Sequence, residues 1–149
     1  MKKIILICFV ILLISNISAI IINEVEMNPL ETDTGKEWVE LYNNGEDVNI
    51  SGWEVWEGMV SGLVNPKKIL TISERAILQA EGYLIIEFNN KLNNEGDYVI
   101  LKDSFGNEID KTETLEDSSR SPETWQLCGS SWKFASATKS EQNNCETNK

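Results

Sequence analysis

From residue 20 onward the chain is divided into short runs of alternating apolar and polar residues, separated by clusters of turn formers. A period of two is the pattern of strands with one buried face. In EWVELY, residues 37–42, Val39 and Leu41 face one way and Trp38, Glu40 and Tyr42 the other. IIINEVE (20–26) opens the series, and VNISGWEVW (48–56) continues it, with Gly52 allowing a bend. Ile50 faces the core before that bend, and Trp53 and Val55 after it. YLIIEF (83–88) is apolar on both faces, which predicts a central strand. DYVILK (97–102) and NEIDKT (107–112) flank Asp103-Ser104-Phe105-Gly106 as a tight hairpin.

The breakers fall where strands should end. Pro29 and Gly35 mark a loop, Asn43 to Asp47 a turn, and Asn89 to Gly96 another. Residues 73–81 read either as two helical turns capped by Ser73 or as an extended crossover. Trp125, Leu127, Trp132 and Phe134 supply one or two last strands, and residues 138–149, polar throughout, are expected to fray apart from Cys145. About seven or eight short strands with regular turns predict an all-β sandwich. There is no internal repeat.

The N-terminus carries a different signal. Lys2 and Lys3 precede an uncharged apolar run over 4–14, and Ser15-Asn16-Ile17-Ser18-Ala19 ends in a small residue. That order is the layout of a secretory signal cleaved after Ala19. The stretch from Ile4 to Ile22 is also long enough for an uncleaved anchor, although Ser15, Asn16 and Ser18 weigh against a stable span. Both readings put the rest of the chain outside the cytoplasm. The expected organisation is a signal at 1–19, a domain over 20–143 and a polar tail at 144–149.

Charge narrows the partners. Losing Lys2 and Lys3 with the signal lowers the basic count from 13 to 11 against 24 acidic residues, a net charge of −13. Such a chain repels phosphate backbones, so no nucleic-acid partner is expected, and no membrane insertion once the signal is cleaved. Cys8 leaves with the signal. Cys128 and Cys145 remain as an even pair in an oxidising compartment, which predicts one disulfide.

Several motifs occur in a telling order. INEVEMNP (22–29), GKEWVELYN (35–43) and VNISGW (48–53) are followed by EGYLIIEFN (81–89) and LNNEGDYVILKDSFGNEID (92–110), then by Ser119-Arg120 and Trp132. Together they resemble the lamin tail domain family, over roughly residues 20–143. The resemblance implies an immunoglobulin-like β-sandwich and a non-catalytic module of the kind found in exported prokaryotic proteins. That family often closes with Thr-Pro-Gly-x-x-Asn. Here the stretch reads Thr138-Lys139-Ser140-Glu141-Gln142-Asn143, so Lys139 and Ser140 stand in place of Pro and Gly.

Chemistry-bearing residues are sparse. Histidine is absent, which removes Ser-His-Asp and Cys-His catalysis and imidazole metal ligands. Paired carboxylates could in principle serve a small extracellular hydrolase, but no cleft-forming insertion is evident, and no enzyme is expected. Glu24, Glu26, Glu37 and Glu40 lie in the first two strands, and oxygen ligands outside the cell suit Ca²⁺. Their plainer reading is as solvent-facing residues or partners of lysines. The loop Asn28 to Asp33 lacks a Ca²⁺-loop spacing, so no metal and no cofactor is expected. Trp53 is expected in the core. Trp38, Trp56 and Tyr83 are the candidate exposed aromatics, able to stack on sugars or anchor a protein. Asn49-Ile50-Ser51 is a glycosylation sequon. The function expected is an interaction module at the cell surface or in the extracellular space, engaging a protein. The alternative is a carbohydrate-binding module using exposed tryptophans.

Overall fold

The computed structural model of the protein describes residues 20–30, 36–58 and 65–146. The predicted signal at 1–19, the acidic residues Glu31 and Asp33, and residues 147–149 lie outside the described residues. Among the described residues eleven strands form: β1 (Ile20–Glu26), β2 (Glu37–Asn43), β3 (Val48–Asn49), β4 (Glu54–Glu57), β5 (Lys67–Thr71), β6 (Ile77–Leu78), β7 (Tyr83–Phe88), β8 (Val99–Lys102), β9 (Glu108–Lys111), β10 (Glu123–Cys128) and β11 (Ser131–Ser136). They build a five-stranded sheet ordered β11-β10-β1-β2-β7, a four-stranded sheet ordered β5-β4-β8-β9, and the small pair β3-β6. Every strand pairing is antiparallel.

The apolar half of each alternation forms the core. Val25, Val39, Leu41, Ile86 and Phe88 of the five-stranded sheet join Val55, Val99 and Leu101 of the four-stranded one. Ile50, Ile72, Leu78 and Leu115 complete the cluster from connections and the small sheet. Trp53 and Trp125 pack against it while partly exposed. At about 25 cal/mol per Å² of apolar surface removed from water, this burial is the main favourable contribution to folding.

The strand count exceeds the expectation for local reasons. The run 48–56 breaks at Gly52, whose φ of 76° is left-handed, so one predicted strand becomes β3 and β4. Residues 73–81 contain no helix. Ile50 N–H is accepted by Ala76 O, and Ala76 N–H by Ser51 Oγ, so this stretch satisfies its backbone across the β3-β6 pair.

β7 is an edge strand, which corrects its expected central place. Its double apolar character arises because Leu84, Ile86 and Phe88 turn to the core, while Tyr83 and Ile85 pair with Tyr42 and Glu40 on the outer face. A bulge in β1 between Ile22 and Glu24 ties the two large sheets together: Ile22 N–H donates to Asp110 Oδ2 of β9 at 2.7 Å.

Candidate binding face on the five-stranded sheet

The outer face of the five-stranded sheet is polar yet covered. Alternation puts Glu24 and Glu26 of β1, Trp38, Glu40 and Tyr42 of β2, Tyr83 of β7, and Thr124 and Gln126 of β10 on this side. Glu24, Glu40 and Gln126 are 0% exposed and Trp38 is 6% exposed. The expectation that Glu24, Glu26, Glu37 and Glu40 point into solvent is therefore corrected, because all four are buried. Glu37 belongs to the core side and accepts the Lys91 N–H at 2.6 Å.

The cover is the C-terminal segment 137–145, a strap laid across the sheet. Thr138 donates its amide and its hydroxyl to Glu24, each at 2.9 Å. Thr124 Oγ1 and Gln126 Nε2 also donate to Glu24. Ser140 N–H reaches Glu40 Oε2 at 2.5 Å, and Asn23 Nδ2 reaches Glu40 Oε1 at 2.7 Å. Asn143 Nδ2 donates to the carbonyls of Asn23 and Leu127, each at 2.9 Å, and Asn144 N–H to Gln126 Oε1 at 2.7 Å. Cys145 is joined to Cys128 by a disulfide. This segment, expected to fray apart from Cys145, is thus bonded into the fold from Thr138 to Cys145. Hydrogen bonds to a carboxylate contribute about 1.5–3 kcal/mol each, enough to hold a strap without an apolar face of its own.

Burial shapes the electrostatics. It pushes the Glu26 carboxyl up to about 7, opposed by the Asn28 N–H and reinforced by Asp117, Glu24 and Glu37. Glu40 is also raised by burial, against the Ser140 N–H and the Asn23 amide. Among the described residues no group of three or more His, Cys, Asp or Glu could hold a metal ion. Glu24 and Glu40 take protein donors where a cation would need their oxygens.

The candidate aromatics do not meet. Trp38 lies beneath the strap, with Lys139 Nζ 5.1 Å from its ring centroid and bonded to Glu87 at 2.7 Å. Trp56 belongs to the other sheet. Its Nε1–H is held by Glu54 at 2.9 Å, and Lys102 Nζ stands 4.1 Å over its ring. Tyr83 pairs across strands with Tyr42, their centroids 4.8 Å apart at 33°. Sequence reasoning missed Tyr42, although its alternation with Trp38 and Glu40 already put it on this face. Asn49 is exposed and its Oδ1 accepts the Ser51 N–H at 3.0 Å.

Grooves border the strap, and two of them reach the sheet's aromatic residues. One, of about 620 Å³, is lined by Pro29, Leu30, Trp38, Pro122, Ala137 and Lys139 among others. The second, of about 520 Å³, lies over Tyr42 and Tyr83, with Asn23, Glu81, Gln142 and Asn143 around it.

The motif residues serve structure. Asn43 Nδ2 donates to the carbonyls of Glu46, Leu78 and Gln79, while its Oδ1 accepts the Gly45 N–H. Asp97, 1% exposed, accepts the N–H groups of Gly58, Asn93 and Tyr98.

No curated protein and no solved structure matches the chain. The Lamin Tail Domain family model matches residues 14–115, which takes in β1 to β9 and leaves β10, β11 and the strap beyond the matched segment. With this immunoglobulin-like all-β architecture and that match over more than half of its length, the chain belongs to the lamin tail domain family.

Proposed function

We propose that the protein is an exported, non-catalytic interaction module that engages a protein partner at the cell surface or in the extracellular space. The observation that carries this reading is the groove between Leu30 and the strap. Its walls are apolar at Pro29, Leu30, Trp38, Pro122 and Ala137, and the Lys139–Glu87 ion pair stands at the rim. Leu30 is 62% exposed beside it. An apolar floor with a few placed charges is the anatomy of a protein-recognition site. The Cys128–Cys145 disulfide supports an oxidising compartment, in line with the signal-like segment at 1–19. The non-catalytic reading draws support from Glu24 and Glu40, whose oxygens are taken by strap donors, and from the absence of histidine.

The test has two parts. N-terminal sequencing of the protein recovered from the culture medium should begin at Ile20. The disulfide-intact protein should then capture a partner from a surface extract, and Leu30→Asp or Lys139→Glu should abolish the capture. Retention of the whole chain inside the cell, or capture indifferent to both substitutions, would contradict the reading. A carbohydrate face made jointly by Trp38, Trp56 and Tyr83 has no support, because Trp56 stands on the opposite sheet.

A further inference from the structure

The second groove has a chemistry of its own. Its floor is the Tyr42–Tyr83 pair, two half-buried rings whose remaining surface faces the groove. Neither phenol hydroxyl has a hydrogen-bond partner among the described residues, and neither has the Gln142 amide or the Glu81 carboxylate. The groove therefore presents two hydroxyls that donate and accept, an amide that does both, and a carboxylate that accepts.

Glu81 is placed there at a cost. Its φ of 55° is left-handed, a conformation disfavoured for a residue with a Cβ and found preferentially at functional positions. It is held by its own N–H on Asn43 O at 2.8 Å and by Gly82 N–H on Gln79 O at 3.0 Å. Gly82, next in the chain, would spare this strain had the turn been set one residue later.

We infer that this groove is a subsite for a neutral oligosaccharide. A sugar ring offers C–H faces to an aromatic floor and hydroxyls that donate and accept around its edge, which matches the exposed rings and the uncommitted polar groups. Anionic ligands are disfavoured by Glu81, the charged residue among the described residues that line the groove. A protein partner would need an apolar recess for an anchoring side chain, and among the described residues Leu127 is the sole aliphatic one lining this groove. The inference rests on the reading of the chain as a binding module and adds a second, chemically distinct ligand to it.

The experiment is calorimetric titration of the purified, disulfide-intact protein with the neutral hexasaccharides of glucose and of N-acetylglucosamine, and with hexagalacturonate as the anionic control. Saturable binding to a neutral hexasaccharide is expected, with none to the anionic one. Tyr42→Ala and Tyr83→Ala should each weaken it by about tenfold or more, while Trp56→Ala leaves it unchanged. Two variants separate binding from folding. Tyr83→Phe removes only a hydroxyl and should lower affinity at unchanged Tm. Glu81→Gly should raise Tm, by relieving the left-handed backbone, while lowering affinity. No binding of either neutral sugar at millimolar concentration would overturn the inference, as would binding that survives Tyr83→Ala and Glu81→Gly, or preference for the anionic sugar. Capture of a protein through the Leu30 groove would stand whatever the sugars do, so the two ideas fail separately.

Discussion

Thr138 donates twice to Glu24, its amide to one carboxylate oxygen and its hydroxyl to the other, each at 2.9 Å and across 114 positions of sequence. This clamp turns a buried charge into an anchor for the strap. Removing the carboxylate strands the donors of Thr124, Gln126 and Thr138 together. Glu24→Ala should destabilise the protein by about 3–5 kcal/mol, read as a fall in the chemical-denaturation midpoint. Glu24→Gln, which keeps one acceptor oxygen, should lose less. Equal losses in both variants would contradict the clamp.

The disulfide acts on the same segment from its far end. Its two cysteines are 17 positions apart, and in the chain-entropy model a loop of that size contributes about 3 kcal/mol. Cys128→Ser with Cys145→Ser should lower stability by an amount of that order. It should also expose Trp38, seen as a red shift and stronger quenching of tryptophan fluorescence. A stability loss with no change in fluorescence would mean that the hydrogen bonds hold the strap alone.

Stability should fall as pH rises from about 5 to 8. The Glu26 carboxyl is raised from 4.5 to about 7, so the folded chain keeps a proton there that the unfolded chain has released. Folding takes up that proton between those two values, and the contribution is lost as pH climbs through the folded value. The size is on the order of 3 kcal/mol for Glu26. Glu40, Asp97, Asp110 and Asp117 are raised as well, by burial, and act in the same direction. Relief of self-repulsion in so acidic a chain adds to the trend. Thermal melts across this range should show it, with a shallower slope in Glu26→Gln. An identical slope in that variant would exclude Glu26 as a source.

Ser140 has a φ of 64°, in the left-handed region that favours glycine. Ser140→Gly should therefore gain up to about 1 kcal/mol, the relief of strain outweighing the extra freedom of the unfolded chain. Ser140→Val should lose at least as much. A melting temperature that falls in Ser140→Gly would show that the Ser140 hydroxyl matters more than its backbone.

The all-β class, the place of most strands and the disulfide were legible in local pattern. Alternation correctly grouped Glu24 with Glu26 and Trp38 with Glu40, because side-chain period is a property of the strand itself. What covers those groups was not legible. The cover comes from Thr138, Ser140 and Asn144, residues with no apolar periodicity, whose partners lie as many as 114 positions away. A polar segment that folds through hydrogen bonds to buried carboxylates has the composition of a loose tail. Sequence separation also hid the Tyr42–Tyr83 pair, since register between β2 and β7 follows from the whole sheet. The edge position of β7 was missed because Ile85, which makes the run apolar on both faces, lies half-buried beside Glu40 on the outer face.

The most direct measurement is amide hydrogen exchange on the disulfide-intact protein at Thr138, Ser140 and Asn144. Each of these N–H groups donates to a side-chain oxygen of the sheet. Exchange slowed to the level of the β2 amides is the predicted result, with protection at Thr138 lost in Glu24→Ala. Exchange at the rate of an unstructured peptide at all three would mean that the strap does not lie on the sheet, and both grooves would lose the wall that defines them.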